Sequence, residues 1–420
     1  MTGKYTGQPR VPASNTTYGY VVVAAAFIIM TLASGLFVVF GVFFDPLLLE
    51  FGWSRAAVSG GYSLAWVLSG ALAIFAGGLS DRFGPRLVVT FCGVCLGLGY
   101  LLMSRVDTLW QFYLFYGAII GAGMSGIWVP LLSAIVRWFT VRRSLMTGIV
   151  LSGLTAGQLI APPIISRLII AHGWRTSYII LGAVLLVVIV IAAQFLKRES
   201  PKAGQLPDDT EEAKQSNAVP DSSDFNLREA FRTRQFWLVA AIFFCVGFAS
   251  FTFTVHIVPH ATLLGYSSVV AANILAINGG IGIIGNFMLG GIIGDRMGNR
   301  KAFIIGAVLM AVSLFLLIPL REVWLLYIVA IIFGIGLGGM GTSESPLIAS
   351  LFGSTSHGLI YAVIALAWTV GAAVGPVIAG YMCDVLGDYQ LAFLVSAIIS
   401  AICFLVLLML RPTKRRGIAL

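Results

Sequence analysis

Apolar residues in this chain neither alternate nor recur along one helical stripe. They come in long, nearly unbroken runs. About 20 consecutive apolar residues wound as a helix cross the hydrocarbon core of a bilayer. Twelve runs reach that length, near 17–43, 56–79, 87–105, 110–138, 146–171, 175–196, 236–262, 268–293, 301–319, 323–351, 357–383 and 389–410. The pattern predicts an all-α integral membrane protein of twelve transmembrane helices, several of them long enough to tilt. The first run follows a polar start with Lys4 and Arg10. Its length and the lack of a small-residue cleavage site make it an uncleaved first helix.

Composition removes the soluble alternatives. Hydrophobic residues make up 59% of the 420 residues, charged residues 10%, and mean hydropathy is +0.96. A soluble domain carries about 25% charged residues. A soluble enzyme, a disordered chain and a fibrous protein are therefore excluded together. The net charge of +9 would suggest nucleic acid, but its distribution says otherwise. Of the 26 Lys and Arg, all but Arg55, Arg105, Arg167, Arg175 and Arg321 fall in the termini and the even-to-odd loops. By the positive-inside rule both termini are expected in the cytoplasm, and no nucleic-acid partner is expected. Cys92 and Cys95 form a C-x-x-C, yet no second pair or nearby histidine completes a site. These cysteines, with Cys245, Cys383 and Cys403, read as small apolar residues.

The one long polar segment, 197–235, is rich in Pro, Gly, Ser and mixed charge. It divides the chain into a bundle at 1–196, a cytoplasmic linker at 197–235 and a bundle at 236–420. At its end Phe225, Leu227 and Phe231 are spaced along one helical side, with Asp224 as N-cap, which predicts a short helix on the inner membrane surface. The two bundles repeat one another. GGLSDRFGPR at 77–86 matches GIIGDRMGNR at 291–300, placing Asp81 and Asp295 214 positions apart. The same offset carries Gly157 to Gly371, Pro162 to Pro376 and Gly173 to Gly387. PLLSAIV at 130–136 and PLIASLF at 346–352 follow glycine-rich runs in the fourth and tenth spans. Two parallel six-helix repeats form a transporter plan.

The glycine–aspartate–arginine–glycine–basic pattern in both the 2–3 and 8–9 loops resembles the signature of the major facilitator superfamily, and the resemblance covers nearly the whole chain. Three stretches are similar to its monocarboxylate transporter and oxalate:formate antiporter branch: FGVFFDPLLLEFGWSRAAVSGGYSL at 40–64, GIVLSGLTAGQLIAPPII at 148–165 and HIVPHATLLGYS at 256–267. The resemblance implies that Gly77, Asp81, Arg82, Gly84 and Arg86, with Gly291, Asp295, Arg296, Gly298 and Arg300, form a cytoplasmic gating motif. Asp81 would bind near the start of the eleventh helix in the outward-facing state. Plain turns with orientation-setting charges would carry the same residues. Arg137 is placed either to join Asp81 or to snorkel to the interface, with Arg142 and Arg143 following it.

GAGMSG at 121–126 fits G-x-G-x-x-G, but no strand precedes it, so helix packing and not a dinucleotide accounts for it. No cofactor is expected. Gly157 with Pro162 and Pro163, and Gly371 with Gly375 and Pro376, give spans 5 and 11 points that can bend.

Charges at membrane depth cost about 2.5–3.5 kcal/mol on insertion scales, so each invites a function. Glu344 is the one acid deep in a span, a candidate for a coupling proton or for pairing with an inner-loop arginine. His256 and His260, four apart on one face of span 7, are candidates for a proton-linked gate or for plain hydrogen bonding at the outer interface. A metal at this pair lacks a third ligand, so none is expected. The transporters that the chain resembles hold the substrate carboxylate with an arginine in the eighth helix; here Asn286 stands at or near that position. No Lys or Arg lies between Arg234 and Arg296, and span 11 has none. Asn278, Asn286, Tyr116, Trp128, Gln158, Tyr361 and Trp368 are the substrate-binding candidates, beside Thr252 and Thr254. The expected function is secondary active, proton-coupled transport of a small organic acid across the cytoplasmic membrane by alternating access, as a monomer and not as an enzyme. A carrier of neutral or amphipathic solutes is the alternative that the missing arginine favours.

Overall fold

A computed structural model describes residues 13–139, 143–197, 225–319, 322–353 and 356–410. Among these residues eleven helices are long and apolar enough to cross a membrane. One of them, Leu145–Ala193, has 49 residues. At 1.5 Å per residue it would be about 73 Å long if straight, more than twice a hydrocarbon core. It turns back at Gly173, whose φ of +77° is open to glycine at little cost. Gly153 lies against Phe27 in span 1 while Gln194 is back beside Thr90, so the chain crosses twice and the spans number twelve.

The other spans are Ala13–Val38, Arg55–Phe83, Pro85–Met103, Leu109–Trp138 in successive pieces, Arg234–Leu263, Ser268–Met297, Asn299–Leu317, Val323–Phe352, His357–Leu386 and Gln390–Met409. Backbone groups satisfied within each helix are what allow a chain to sit in hydrocarbon. Where spans leave it, caps take over. Ser54 Oγ accepts from Ala57 N, Thr233 Oγ1 from Phe236 N and Ser267 Oγ from Val270 N. Outward-facing apolar side chains such as Ile74, Phe75, Phe91 and Phe287 stay exposed, as lipid contact requires.

The duplication is three-dimensional. Gly84 and Gly298 both turn the chain at φ near +90°, Gly173 and Gly387 near +80°, each pair 214 positions apart. Close helix pairs repeat as well. A Cβ on Gly157 would sit 2.3 Å from the Thr31 carbonyl oxygen of span 1, and one on Gly371 2.2 Å from the Phe244 carbonyl oxygen of span 7.

Three local features depart from the expected runs. Span 1 breaks at Val39–Phe40 and continues as a separate helix, Gly41–Phe51. Spans 4 and 8 each widen into π-helical turns, Tyr113–Ile120 and Asn286–Ile293. The short helix before span 7 is Leu227–Phe231, and its N-cap is Asn226 in place of the expected Asp224. The reason is spacing: the carboxylate of Glu229, three residues on, accepts from Asn226 N while Asn226 Oδ1 accepts from Glu229 N. Phe225 anchors this helix by donating its N–H to the Phe352 carbonyl. Asp224 and the linker from 198 to 224 lie outside the described residues.

Spans 2 and 11 run antiparallel across the junction of the two halves, Arg55 beside Gly380 and Trp66 beside Trp368. Phe83 and His357 therefore lie at one face of the bundle, together with Ala13, Leu410 and the ends of the linker. This is called the terminal face below, and its opposite the far face.

Candidate functional site

The junction between the halves is sealed from the far face to mid-depth. At its rim the Asp384 carboxylate accepts from the N–H groups of Arg55 (2.8 Å) and Ala56 (2.9 Å), the first turn of span 2. Thr262 at the end of span 7 donates to Asp45 in the helix that follows span 1. Burial raises the Asp45 carboxyl above its usual range, with the Thr262 hydrogen bond and the Arg55 charge working against that rise. The Arg55 guanidinium lies over the Tyr389 ring, 5.9 Å from its centroid. Beneath this rim His256 ties three helices together. Its Nε2 is 2.8 Å from the Pro376 carbonyl of span 11 and its Nδ1 3.2 Å from the Tyr389 hydroxyl. A carbonyl only accepts, so Nε2 carries the hydrogen of that bond. Ser59 of span 2 approaches the same Nε2 at 3.4 Å.

Along the same stretch, backbones meet directly. A Cβ on Gly41 would fall 2.5 Å from the Val255 carbonyl oxygen, and one on Gly380 2.8 Å from the Arg55 carbonyl. Ser63 donates to the Ala373 carbonyl. At mid-depth Trp66 meets Phe251 (4.8 Å between centroids) and Trp368 (5.5 Å) edge-on. On the other flank Gln158 Nε2 donates to Asn278 Oδ1 at 3.3 Å, and Asn278 Nδ2 to the Ala330 carbonyl at 3.2 Å. A Cβ on Gly279 would press on the Gln158 side chain at 2.7 Å.

Toward the terminal face the same helices part. Gly148 lies two turns from Thr155 on one face of span 5, and Gly358 three turns from Thr369 on one face of span 11. Among the described residues, a Cβ on either would meet nothing within 4 Å. One on Gly77, two turns from Gly70, would meet only Val129 of its own half. The junction is thus closed on one side and open on the other.

The sequence-derived candidates fall into separate groups on this frame. Gln158 and Asn278 form the cross-half pair just described, and Trp368 belongs to the mid-depth aromatic seal. Glu344 and Tyr361 meet on the terminal-face side, Tyr361 donating to Glu344 Oε2 at 3.1 Å. Asn286 is half-buried at the start of the π-helical segment, and its carbonyl accepts from Thr342 of span 10 at 3.4 Å. Tyr116 is fully buried in the first half, stacked on Phe37 and tilted against Phe40. Trp128 is half-buried against the core at the start of the last piece of span 4. His260 packs edge-on to Phe393, and both its ring nitrogens are buried without a hydrogen-bond partner among the described residues.

In the loop motif, Asp81 pairs with Arg137 at 2.5 Å, and Arg82 lies over Phe83. The last arginine of each copy has a different task. Arg86 donates to Gln194 Oε1 at the end of span 6 (2.8 Å), and Arg300 to the Leu407 and Leu408 carbonyls at the end of span 12 (3.3 and 3.0 Å). Gly84 and Gly298 supply the positive-φ turn, while Gly77 gives close approach to Val129. Gly291 and Arg296 lie at the matching end of span 8; the side chain of Asp295 and that of Arg143 are outside the described residues, as is Arg142. The sequence reading missed Asp45, Thr262, Arg55, Asp384 and Tyr389. Their signal, polar residues in short loops with few charges, looks like solvated turns until the halves are set side by side.

The profile of the Major Facilitator Superfamily matches residues 23–293 and 284–419. Among curated proteins the chain is similar to the oxalate:formate antiporter of Oxalobacter formigenes, 27% identical over 100% of this chain and 97% of that protein. It is also similar to human monocarboxylate transporter 11, 28% identical over 93% of this chain and 82% of that one. Among solved structures, a bacterial homologue of the human lysosomal transporter Spinster, in an inward-facing and unoccupied conformation, superposes with a TM-score of 0.76. It shares 16% identity, covering 96% of this chain and 97% of that one, which speaks to the fold.

Proposed function

The chain belongs to the Major Facilitator Superfamily, a multi-pass membrane transporter, and from that premise we propose that it carries a small, monocarboxylate-like organic acid together with a proton by alternating access. The observation that supports this reading is the one-sided junction: sealed from Asp384 to Trp66 and open beyond Gly148 and Gly358. A carrier caught with one side closed looks like this, and rocking the halves about the mid-depth contact would exchange the sides. The relatives named for oxalate, formate and monocarboxylates supply the solute class. The bundles are 1–196 and 236–420, joined by the linker at 197–235, in a monomer. The excess of Lys and Arg on the terminal face makes that face cytoplasmic and the membrane the cell's own.

Glu344 is the proposed proton carrier. It is a carboxyl at membrane depth, held by the Tyr361 hydroxyl on the open side. His256 and His260 lie on the sealed side, and their role is to couple that seal to protonation. Asn286, Asn278, Gln158, Tyr116, Trp128, Tyr361 and Trp368 are proposed to shape the solute path, with amide and hydroxyl donors standing where charge compensation is missing. A second reading, a neutral or amphipathic solute, is favoured by the aromatic seal and by the lack of Lys or Arg from 235 to 295.

Counterflow in proteoliposomes tests this. Loaded with formate, oxalate, lactate or a neutral sugar, vesicles should exchange an acid and ignore the sugar. Exchange of the neutral solute alone would replace the first reading with the second. Uptake compared at two pH values in wild type and Glu344→Gln should lose its proton dependence in the variant; an unchanged dependence removes Glu344 from that role.

A further inference from the structure

The far-face rim holds a contact of unusual form. Asp384 sits near the end of span 11, and its two carboxylate oxygens reach across the junction to the first two N–H groups of span 2. Those groups have no partner within their own helix, and the helix start carries partial positive charge. The start of span 2 already has a cap of its own, Ser54 accepting from Ala57 N. Asp384 is therefore a second, inter-half cap on donors that Ser54 leaves over.

The terminal face carries the same parts with the helices exchanged. Asp81 sits near the end of span 2. The start of span 11, His357, lacks a hydrogen bond from its own N-cap residue Ser356. Spans 2 and 11 are antiparallel and touch at Trp66 and Trp368. Rocking about that contact brings the Asp81 end of one toward the His357 end of the other. In the present state Asp81 pairs with Arg137 of its own half.

We propose that Asp384 is the far-side lock of the transport cycle, a carboxylate from span 11 gripping the start of span 2, and the reciprocal of the Asp81 lock in which span 2 grips the start of span 11. Each half-cycle makes one cap and breaks the other. Asp384 is a positioning residue: it sets how long the far side stays shut and touches no solute. The proposal rests on alternating access. It goes further in naming which groups hold the sealed state and in predicting that two distant aspartates act with opposite sign.

The experiment is a pair of nitroxide labels at Leu49 and Leu386, both exposed on the far face, read by pulsed EPR in lipid nanodiscs. Wild type should show a short-distance population. Asp384→Asn should raise the ratio of long to short distances by about fivefold to tenfold, the scale of losing charge-assisted hydrogen bonds in a partly wet site. Asp81→Asn should lower that ratio, and the double variant should fall between the two, as independent effects add. Asp384→Glu, which keeps the carboxylate, should return most of the wild-type ratio. A merely structural cap would not give the opposite shift or the intermediate double variant. Matching distributions in wild type and Asp384→Asn, while saturating oxalate or lactate still changes the distance, would overturn the lock and leave alternating access standing. No second distance under any variant or solute would overturn both.

Discussion

The two sides of the junction are built on different terms. On the far side, backbone meets backbone at Gly41 and Gly380, and Asp384 and Thr262 make hydrogen bonds that cross between the halves. On the terminal side the facing glycines have open space, and the charged groups pair inside their own half, Asp81 with Arg137 and Arg86 with Gln194. A seal between rigid bundles thus depends on close apolar and backbone fit, with a few hydrogen bonds selecting the register. On the far side the Asp384 carboxylate works within that fit, whereas Asp81 and Arg137 pair inside one half. The contrast also separates the ionisable candidates. Glu344 lies on the open side and His256 on the sealed side of the Trp66 aromatic cluster.

The largest effect is expected at the aromatic seal. Trp66→Ala removes a buried indole between Phe251 and Trp368 and should cost about 3–5 kcal/mol. Thermal melting in detergent checks it, with a midpoint lower than for any other variant here. Next is the backbone fit. Gly41→Val drives a methyl-bearing carbon into the Val255 carbonyl and should cost about 1–3 kcal/mol or more and prevent far-side closure. Gly358→Val on the open side should melt like wild type yet stop counterflow, because its side chain blocks the opposite closure. Equal melting of the two glycine variants would erase the difference between the sides.

Smaller effects sharpen the picture. Thr262→Val leaves the Asp45 carboxylate one donor short and should cost about 1–3 kcal/mol; a midpoint within error of wild type would show that water replaces the hydroxyl. The smallest concerns Glu50, which accepts from Trp174 Nε1 (2.5 Å) and from Arg175 (2.8 Å). Partial burial pushes its carboxyl up, but those hydrogen bonds and the Arg175 charge bring it below its usual 4.5. A lowered carboxyl contributes stability that is fully present above 4.5 and is lost as pH falls through the lower folded value. Glu50→Gln should therefore melt slightly below wild type at pH 7, by at most about 1 kcal/mol for so exposed a pair. The gap should close as pH is taken down through and below 4.5. A gap that widens in acid would contradict the sign.

Much of the fold was readable from the chain because lipid imposes a simple rule on it. Twelve apolar runs gave twelve crossings, and glycines at matching offsets marked turns that both copies require: Gly84 with Gly298, Gly173 with Gly387. The loop motif was legible for the same reason, as duplicated residues with duplicated geometry. The break at Val39–Phe40 was hidden inside an apolar run with no proline at the break. Just after it, Gly41 meets the Val255 backbone of the other half, a contact with no local signature. The far-side rim was invisible for a related reason. Asp45 and Thr262 are 217 positions apart, and Asp384 and Arg55 329, so neither pair has any local signature. Tyr116 shows a further limit: the contacts of its ring with Phe37 and Phe40 of span 1 have no local signature either.

The central claim is that the far-side seal must open for solute to cross. Ser63 hydrogen-bonds to the backbone of Ala373 across that seal, so cysteines at these two positions in a cysteine-free protein can be joined by oxidation. The expected result is organic-acid counterflow that stops when the disulfide forms and returns when it is reduced. Counterflow that continues at the same rate with the halves joined would contradict the account.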